Sequence, residues 1–349
     1  IGSKRLVIPH ILGAFRKLPG VRSVVDLFSG TARVGHALKK QKYMVIANDH
    51  NAYAYTLARC YVQADRSRVL AQVKSVVERL SQLPPRAGYF TKVFCEEARF
   101  FHPRNGARID AVRECIAGQS LDPDVEAVVL VSLMEAADRV DSTAGLQMAY
   151  LKEWAPRALN DLELRIPEIL DGPGRATMMD ALDAAKTLSA DAAYLDPPYN
   201  QHSYLGNYHV WETLARWDKP EAYGIARKRV DCKNYKSPFN SKKLIHGAMQ
   251  DVINSLDAKY LVVSFNNEGF ITREEMEAML SVRGAVRTLE IDYKRYVGAQ
   301  IGVYNPQGVK VGSASHLRNK EYLFIVTPKE VNIPGTVSMV MKTGQVQLF

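Results

Sequence analysis

The chain has 349 residues, of which 47% are hydrophobic and 24% are charged, as in ordinary globular proteins. Its formal net charge of +9 favours a polyanionic partner such as nucleic acid, although a basic protein without such a partner has the same composition. No apolar run is long enough to span a membrane, and nothing at the N-terminus resembles a signal peptide, so we expect a cytoplasmic protein. The four cysteines have no metal-binding spacing, so no metal site is predicted.

The first predicted unit is a strand, a turn and a helix. An apolar strand from Ser23 to Asp26 runs into the small-residue turn LFSG at 27–30, and a helix follows from Arg33 to Lys40. A second strand, from Tyr43 to Ala47, leads to Asp49. This order is typical of a nucleotide-binding βαβ crossover, so the turn and Asp49 are candidate ligand residues.

The middle of the chain has mainly helical periodicity, from about Asn51 to Leu170. Examples are the segments from Asp124 to Arg139 and from Ala149 to Trp154. Beyond it we expect strands near Asp191–Leu195, Tyr260–Phe265, Ala285–Tyr293 and Tyr322–Val326, and a helix from Arg273 to Leu280. The predicted parts are residues 1–64 and 176–349, which form an α/β core, and residues 65–175, which form a largely helical insertion.

The tetrapeptide Asp196-Pro197-Pro198-Tyr199 directly follows a short apolar strand. Ligands of open α/β sheets bind at the carboxyl ends of strands. The two prolines fix the backbone and remove two N–H donors, so the carbonyls there are free to accept hydrogen bonds. The aspartate is a second acceptor, and the tyrosine offers a flat face for stacking. Such a group suits an exocyclic amino group whose two protons are held by oxygen atoms.

Two segments after the tetrapeptide are rich in basic residues. Residues 219–243 hold eight basic residues against two acids and are predicted to be a loop with short helical pieces. Residues 294–320 are predicted to form a hairpin with its turn near 305–308. Their charges suit phosphate contacts, although a solvated loop has the same composition. The candidate DNA-binding residues are Arg227, Lys228, Arg229, Lys233, Lys236, Lys242, Lys243, Lys294, Arg295, Arg318 and Lys320.

In this order the motifs resemble those of amino-group DNA methyltransferases of the D12 class and α group, similar to the methyltransferases of type IIS restriction-modification systems. The LFSG turn is similar to the FxGxG turn of that family, but Ala32 stands where the family has its last glycine. The segment Ser264–Phe270 (SFNNEGF) and the segment Asp292–Tyr296 resemble later blocks of these enzymes.

The resemblance implies a Rossmann-like α/β sheet that binds S-adenosylmethionine and acts on double-stranded DNA, with a cognate restriction endonuclease as a separate partner. It implies that Asp49 binds the ribose hydroxyls and that Asp180 lies near the cofactor adenine. Helix capping is the alternative for both acids. The implied cofactor-binding residues are Lys4, Asp26, Phe28, Ser29, Gly30, Asp49, Asp180 and Asp196.

The implied reaction is methyl transfer to N6 of an adenine flipped out of duplex DNA. Asp196 and the Pro197 carbonyl would accept the two amino protons, and Tyr199 would stack on the base. We assign no general base to His202 or His209, because the amine proton can leave after transfer. Two alternatives stay open: cytosine-N4 methylation by the same pocket, and a DNA-binding protein whose pocket is inactive.

Overall fold

The computed structural model describes residues 4–143, 145–294, 303–304, 310–312, 318–331 and 340–342. The chain divides into two compact units. The first contains Val25–Ala184 and His202–Ser237, and the second contains residues 4–24, Ala185–Gln201 and the described residues from Pro238 onward. The division into residues 1–64, 65–175 and 176–349 stays a prediction.

The first unit contains the predicted βαβ crossover. Strand β1 (Ser23–Asp26) ends in this unit, helix α2 (Arg33–Lys40) follows it, and β2 (Met44–Asn48) comes next. β1, β2 and β3 (Gly174–Thr177) lie in that order, and β2 and β3 are parallel. The predicted strand-turn-helix-strand unit is therefore confirmed.

Helices form most of the first unit between β2 and β3. Their apolar faces meet in one core, which is centred on a helix whose sequence is apolar almost all round. That central helix is α6 (Pro123–Asp138), which confirms the predicted helix at 124–139 within one residue at each end. The other helical segments are α3 (Ala52–Ala58), α4 (Arg66–Ser81), α5 (Pro103–Ala117), the π-helical Arg59–Gln63 and Thr91–Glu96, and the 3-10 helix Pro156–Leu159.

The helix expected from Ala149 to Trp154 was a wrong prediction. Tyr150 forms an isolated antiparallel bridge with Thr143, and its ring meets that of Phe100 edge-on at 5.2 Å. The Trp154 ring lies 4.6 Å from the guanidinium carbon of Arg99. So short a segment cannot sustain a helix alone, and these aromatic contacts hold it in an irregular conformation.

The basic segment at 219–243 contains a small hairpin that was not predicted. β5 (Ala222–Tyr223) and β6 (Lys228–Arg229) are antiparallel, and α10 (Asp231–Asn234) follows. The short helical piece was expected, whereas the two strands were expected to be loop. The remaining helices of this unit are α7 (Ala181–Thr187, whose last residues belong to the second unit), α8 (Tyr204–Asn207) and α9 (His209–Arg216).

The strands of the second unit are β4 (Ser189–Leu195), β7 (Asp257–Asn266), β8 (Ala285–Lys294), β11 (Arg318–Thr327) and β12 (Val340–Lys342). They are neighbours in the order β12, β8, β11, β7 and β4, followed by the first residues of β1. β4 and β7 are parallel, whereas β11 is antiparallel to both β7 and β8. A reversed strand starts at the edge where its neighbours end, so Glu321, near the start of β11, lies opposite Asn266, the last residue of β7.

The mainly parallel strands and their connecting helices confirm the predicted α/β, Rossmann-like fold class. The second unit also has an antiparallel pair of short strands within the segment predicted as a hairpin, whose turn at 305–308 lies outside the described residues. Within the described ranges, no helix has the length and apolarity to cross a bilayer. The elements not yet given are α1 (Ile8–Arg16), α11 (Ile245–Ser255), α12 (Arg273–Ser281), β9 (Val303–Tyr304), β10 (Lys310–Gly312) and the 3-10 helices Lys4–Leu6 and Pro238–Asn240.

Candidate active site

The tetrapeptide at 196–199 lies in the second unit, immediately after β4. The Phe270 amide donates to the Tyr199 carbonyl at 2.9 Å. The Tyr199 ring meets the Phe265 ring at 6.0 Å and an angle of 67°. The Asn240 side-chain amide donates to the Asn200 carbonyl at 2.7 Å. These contacts hold a segment whose prolines donate no backbone hydrogen bond.

Asp196 combines a partly exposed carboxylate with a buried cationic partner. Its Oδ1 lies 2.9 Å from the Lys4 Nζ, and 22% of the side chain remains exposed. The pKa of Asp196 is raised to about 6, mainly by burial; the Lys4 charge opposes this rise and the nearby Glu321 charge adds to it. The carboxylate is thus ionised above this pH and has surface available to accept hydrogen bonds.

Lys4 lies beside the tetrapeptide at 196–199, although the resemblance implied only a place in cofactor binding. Its ammonium donates to the Ser264 hydroxyl at 3.0 Å and pairs with Glu321 as well as Asp196. Burial opposes its charge, but the two carboxylates outweigh this and raise the pKa of Lys4 well above its ordinary value. Glu321 was not among the predicted site residues, because no local pattern distinguishes it from other strand acids.

The predicted cofactor turn lies in the first unit, and hydrogen bonds to the end of β2 hold its backbone. The Ser29 amide donates to the Asn48 carbonyl at 2.9 Å, and the Gly30 amide donates to Asp49 Oδ2 at 3.0 Å. The buried Asp26 accepts from the Gly35 amide at 3.1 Å, which joins the end of β1 to α2. Asp26, Ser29, Gly30 and Asp49 are therefore brought together, and Phe28 lies within the same turn.

Two features of this turn fit a polar ligand such as a carboxylate or amine. The Ser29 hydroxyl is buried and has no hydrogen-bond partner among the described residues. Gly30 has φ of +53°, and no described heavy atom lies within 4 Å of where its Cβ would be. Ala32 also adopts a left-handed φ of +57°, which explains why the family favours glycine at that position.

Asp49 and Asn48 organise the end of β2. Asp49 Oδ1 accepts from the Asn51 amide at 3.0 Å, and 12% of the Asp49 side chain is exposed. The buried Asn48 side-chain amide donates to the carbonyls of Leu27 and Met179, both at 3.2 Å. Asn48 thus ties the turn after β1 to the segment after β3. The sequence analysis missed it, although its position at a strand end before Asp49 was a usable signal.

Asp180 caps helix α7, since its Oδ1 accepts from the Leu182 amide at 2.9 Å. Burial, together with the nearby carboxylates of Asp180 and Asp49, raises the pKa of Tyr235, so both acids face one phenol. The Tyr235 ring is stacked on the His50 ring at a centroid distance of 4.8 Å. This ring pair beside the two predicted cofactor acids was also missed, since Tyr235 is 55 residues from Asp180 in a segment that appeared only basic.

His209 belongs to the core of the first unit. It is fully buried between the rings of Phe94 and Phe100, and one ring nitrogen lies 2.8 Å from the Gln147 carbonyl. Burial lowers the pKa of His209 to about 4, so the ring is neutral near pH 7. This packing agrees with leaving His209 unassigned as a base.

The predicted DNA-binding residues differ in their surroundings. Arg229 is only 1% exposed, and its guanidinium is held by Asp218 and Asp231. Arg227 pairs with Glu97 at 2.7 Å. Lys320 pairs with Glu290. Lys228 is half-buried. Arg295 and the side chains of Lys294 and Arg318 lie outside the described residues. The exposed members of the set are Lys233, Lys236, Lys242, Lys243 and the paired Lys320.

No group of three or more His, Cys, Asp or Glu side chains in the described part of the chain is arranged to hold a metal ion.

The chain is similar to three curated methylases. It is 33% identical over 317 residues to modification methylase StsI of Streptococcus sanguinis, and this match covers 85% of the chain. It is 32% identical over 282 residues to type II methyltransferase M.NlaIII of Neisseria lactamica, and 31% identical over 294 residues to type II methyltransferase M.FokI of Planomicrobium okeanokoites. These two matches each cover 78% of the chain.

The chain spans about half the length of the StsI and FokI methylases (48% and 45%) and 83% of the NlaIII methyltransferase. The sequence model of one family, described as D12 class N6 adenine-specific DNA methyltransferase, matches residues 1–279. This match includes the cofactor turn and the tetrapeptide, and it confirms the family predicted from the order of the motifs. The chain belongs to the D12 class of N6 adenine-specific DNA methyltransferases.

Proposed function

We propose that this chain transfers a methyl group from S-adenosylmethionine to N6 of an adenine flipped out of duplex DNA, as the modification enzyme of a restriction-modification system. The observation that carries the proposal is the state of Asp196. It is a carboxylate at the end of β4, partly exposed, fixed by Lys4 and followed by two prolines. A cognate endonuclease that acts separately is the partner such a system requires.

Asp196 and the Pro197 carbonyl accept the two protons of the amino group. The nitrogen lone pair of an aminopurine is delocalised into the ring, and these two hydrogen bonds favour a geometry in which it is localised. S-adenosylmethionine, when bound, supplies a methyl group on a positively charged sulfur, and the N–C bond forms as the C–S bond breaks, with its electron pair left on sulfur. Asp196 stabilises the positive charge that reaches the nitrogen, which then loses one proton.

The cofactor is held by the turn at 27–30 and by the acids that follow it. Asp49 accepts from the ribose hydroxyls, because a carboxylate that already accepts three hydrogen bonds still has lone-pair capacity left. The Ser29 hydroxyl supplies a donor to the methionine carboxylate, and Asp180 accepts from the adenine amino group. Tyr235 and His50 line the adenosine side of this site.

The duplex is bound by exposed lysines, with Lys233 and Lys236 in the first unit and Lys242 and Lys243 in the second. Each neutralised phosphate releases counterions, so affinity for non-target DNA falls steeply between about 50 and 200 mM salt. Arg229 has no part in this surface, because its charge is already neutralised by two carboxylates.

The test is methyl transfer itself. The chain is incubated with tritiated S-adenosylmethionine and duplex DNA of mixed sequence, and the DNA is digested to nucleosides. We expect label in N6-methyladenine, and no label with the Asp196→Ala variant, which still binds the cofactor in calorimetry. Label only in N4-methylcytosine would change the base that we propose. Absence of label from duplex DNA, with cofactor bound, would contradict the proposal.

A further inference from the structure

A second carboxylate shares the Lys4 ammonium with Asp196. Lys4 pairs with Glu321, and the Ser264 hydroxyl accepts from Lys4 and donates to Glu321. The Glu321 side chain is 4% exposed, whereas that of Asp196 is 22% exposed. Only Asp196 therefore has surface with which to meet a substrate, and Glu321 lies beneath the pair.

The reversed direction of β11 brings Glu321 to this place. Parallel strands end at one edge of a sheet, and β11, which is antiparallel to β7, begins there. Glu321 lies opposite Asn266, and Leu323 lies opposite Ser264. Glu321 is outside the residues matched by the family model, which end at 279.

The charges of this group do not cancel. Two carboxylates face one ammonium, and the neighbouring Tyr194 phenol is neutral, because burial raises its pKa well above the ordinary value. A single Lys4–Asp196 pair would present almost no net charge to a substrate and would bind the carboxylate tightly to the lysine. With Glu321, the group keeps one net negative charge beside the nitrogen that becomes positive in the reaction.

We propose that Glu321 is a positioning residue for methyl transfer: by sharing Lys4 it leaves Asp196 able to accept the amino protons, and it supplies the net negative charge that stabilises the transfer. This inference rests on the proposed function. It explains why an ionisable side chain is kept in a position that is almost completely buried. Such burial is unfavourable unless the charge is both paired and hydrogen-bonded.

The test is Glu321→Gln, which keeps an oxygen to accept from Lys4 and Ser264 but removes the charge. We expect kcat to fall about 10- to 100-fold, with KM for DNA and cofactor little changed. The acid limb of the kcat–pH profile should move to lower pH, because burial still raises the pKa of Asp196 but the Glu321 charge that adds to this rise is gone. A merely structural role would lower the unfolding temperature without moving this limb.

The matched control is Glu277→Gln on α12. Glu277 also has a hydroxyl and a cation as partners, with Thr288 donating to it at 2.6 Å and Arg273 at 2.9 Å. This variant should leave kcat and the acid limb as they are. The proposal is overturned if Glu321→Gln folds and transfers methyl groups with the wild-type rate and profile, a result that would leave the proposed function intact.

The wild-type chain provides a second measurement that does not depend on the variant folding. Its acid limb should lie near pH 6, where Asp196 titrates. A limb at the ordinary aspartate value, near about 4, would mean that the Lys4 charge cancels burial and the Glu321 charge together, and would also overturn the proposal.

Discussion

The Lys4 ammonium lies 2.9 Å from the Asp196 carboxylate, so the acceptor that we propose for methyl transfer is held in a largely buried ion pair. Burial favours the neutral acid, and Lys4 favours the carboxylate. The balance between them decides at which pH the residue is an ionised acceptor. Lys4 thus favours the carboxylate form of Asp196.

Replacement of Lys4 by methionine should raise the pH at which activity appears. Without the ammonium, the carboxylates of Asp196 and Glu321 repel each other, and the pKa of Asp196 rises from about 6. We expect the acid limb of kcat to move up by one unit or more, with at least about 10-fold lower kcat at pH 6.5. Lys17→Met, at an exposed lysine after α1, should leave the profile unchanged. An unmoved limb in Lys4→Met would show that the pair does not control Asp196.

Asn48→Ala should weaken both the fold and cofactor binding. The substitution removes two bonds donated to Leu27 and Met179 and leaves those carbonyls without this donor. We expect the free energy of unfolding to fall by about 2–4 kcal/mol, measured by urea denaturation, and the cofactor Kd to rise. Thr177→Val removes only one bond to Asn48, of 2.9 Å, and should cost about 1 kcal/mol. Equal stabilities of Asn48→Ala and wild type would contradict this account.

Arg229 and Lys233 should separate stability from DNA affinity. Arg229 ties β6 to Asp218 and Asp231, which also pair with Arg216. Arg229→Ala removes the buried guanidinium from these carboxylates and leaves them with Arg216 alone, so it should cost about 2–4 kcal/mol. Lys233→Ala should leave stability nearly unchanged, weaken binding to all DNA sequences, and reduce the slope of log affinity against log salt by about 1. Urea denaturation measures the stability of both variants, and salt titrations measure their affinity for DNA. Unchanged stability in Arg229→Ala, together with unchanged DNA affinity in Lys233→Ala, would contradict the roles that we give these residues.

His209 should make the fold sensitive to acid. Burial lowers the pKa of His209 from 6.5 to about 4. Between these two pH values the histidine is protonated in the unfolded chain and neutral in the folded chain. Stability therefore falls as the pH drops from 6.5 toward 4, and this residue contributes roughly 3 kcal/mol of that loss. His209→Gln should flatten the dependence in this window, and His246→Gln, at a more exposed histidine, should not. Parallel curves for wild type and His209→Gln would refute the prediction.

Several elements could be predicted because their causes are local. The strand before the tetrapeptide follows from its short run of apolar residues. Strand β1 and the helix at 33–40 follow from the spacing of apolar residues and from the small-residue turn between the two. The prolines at 197–198 define an acceptor site by covalent structure alone. These signals need only a few neighbouring residues, and the family followed from their order along the chain.

Other features depended on contacts between distant segments. No local pattern distinguishes the buried Arg229 from the exposed Lys233, since their solvent exposure depends on Asp218 and α9. The segment at 149–154 is not helical because Phe100 and Arg99 hold its aromatic rings. In both cases a distant partner outweighs the local preference.

The residue types and their order along the chain determined the family, the α/β class and the reactive tetrapeptide. The tertiary structure alone decided that Lys4, Asp196 and Glu321 form one charged group, because β11 runs opposite to β7 and so begins where β4 and β7 end. The direction of a strand in a sheet depends on pairing with other strands, and the residues of a single strand do not encode it.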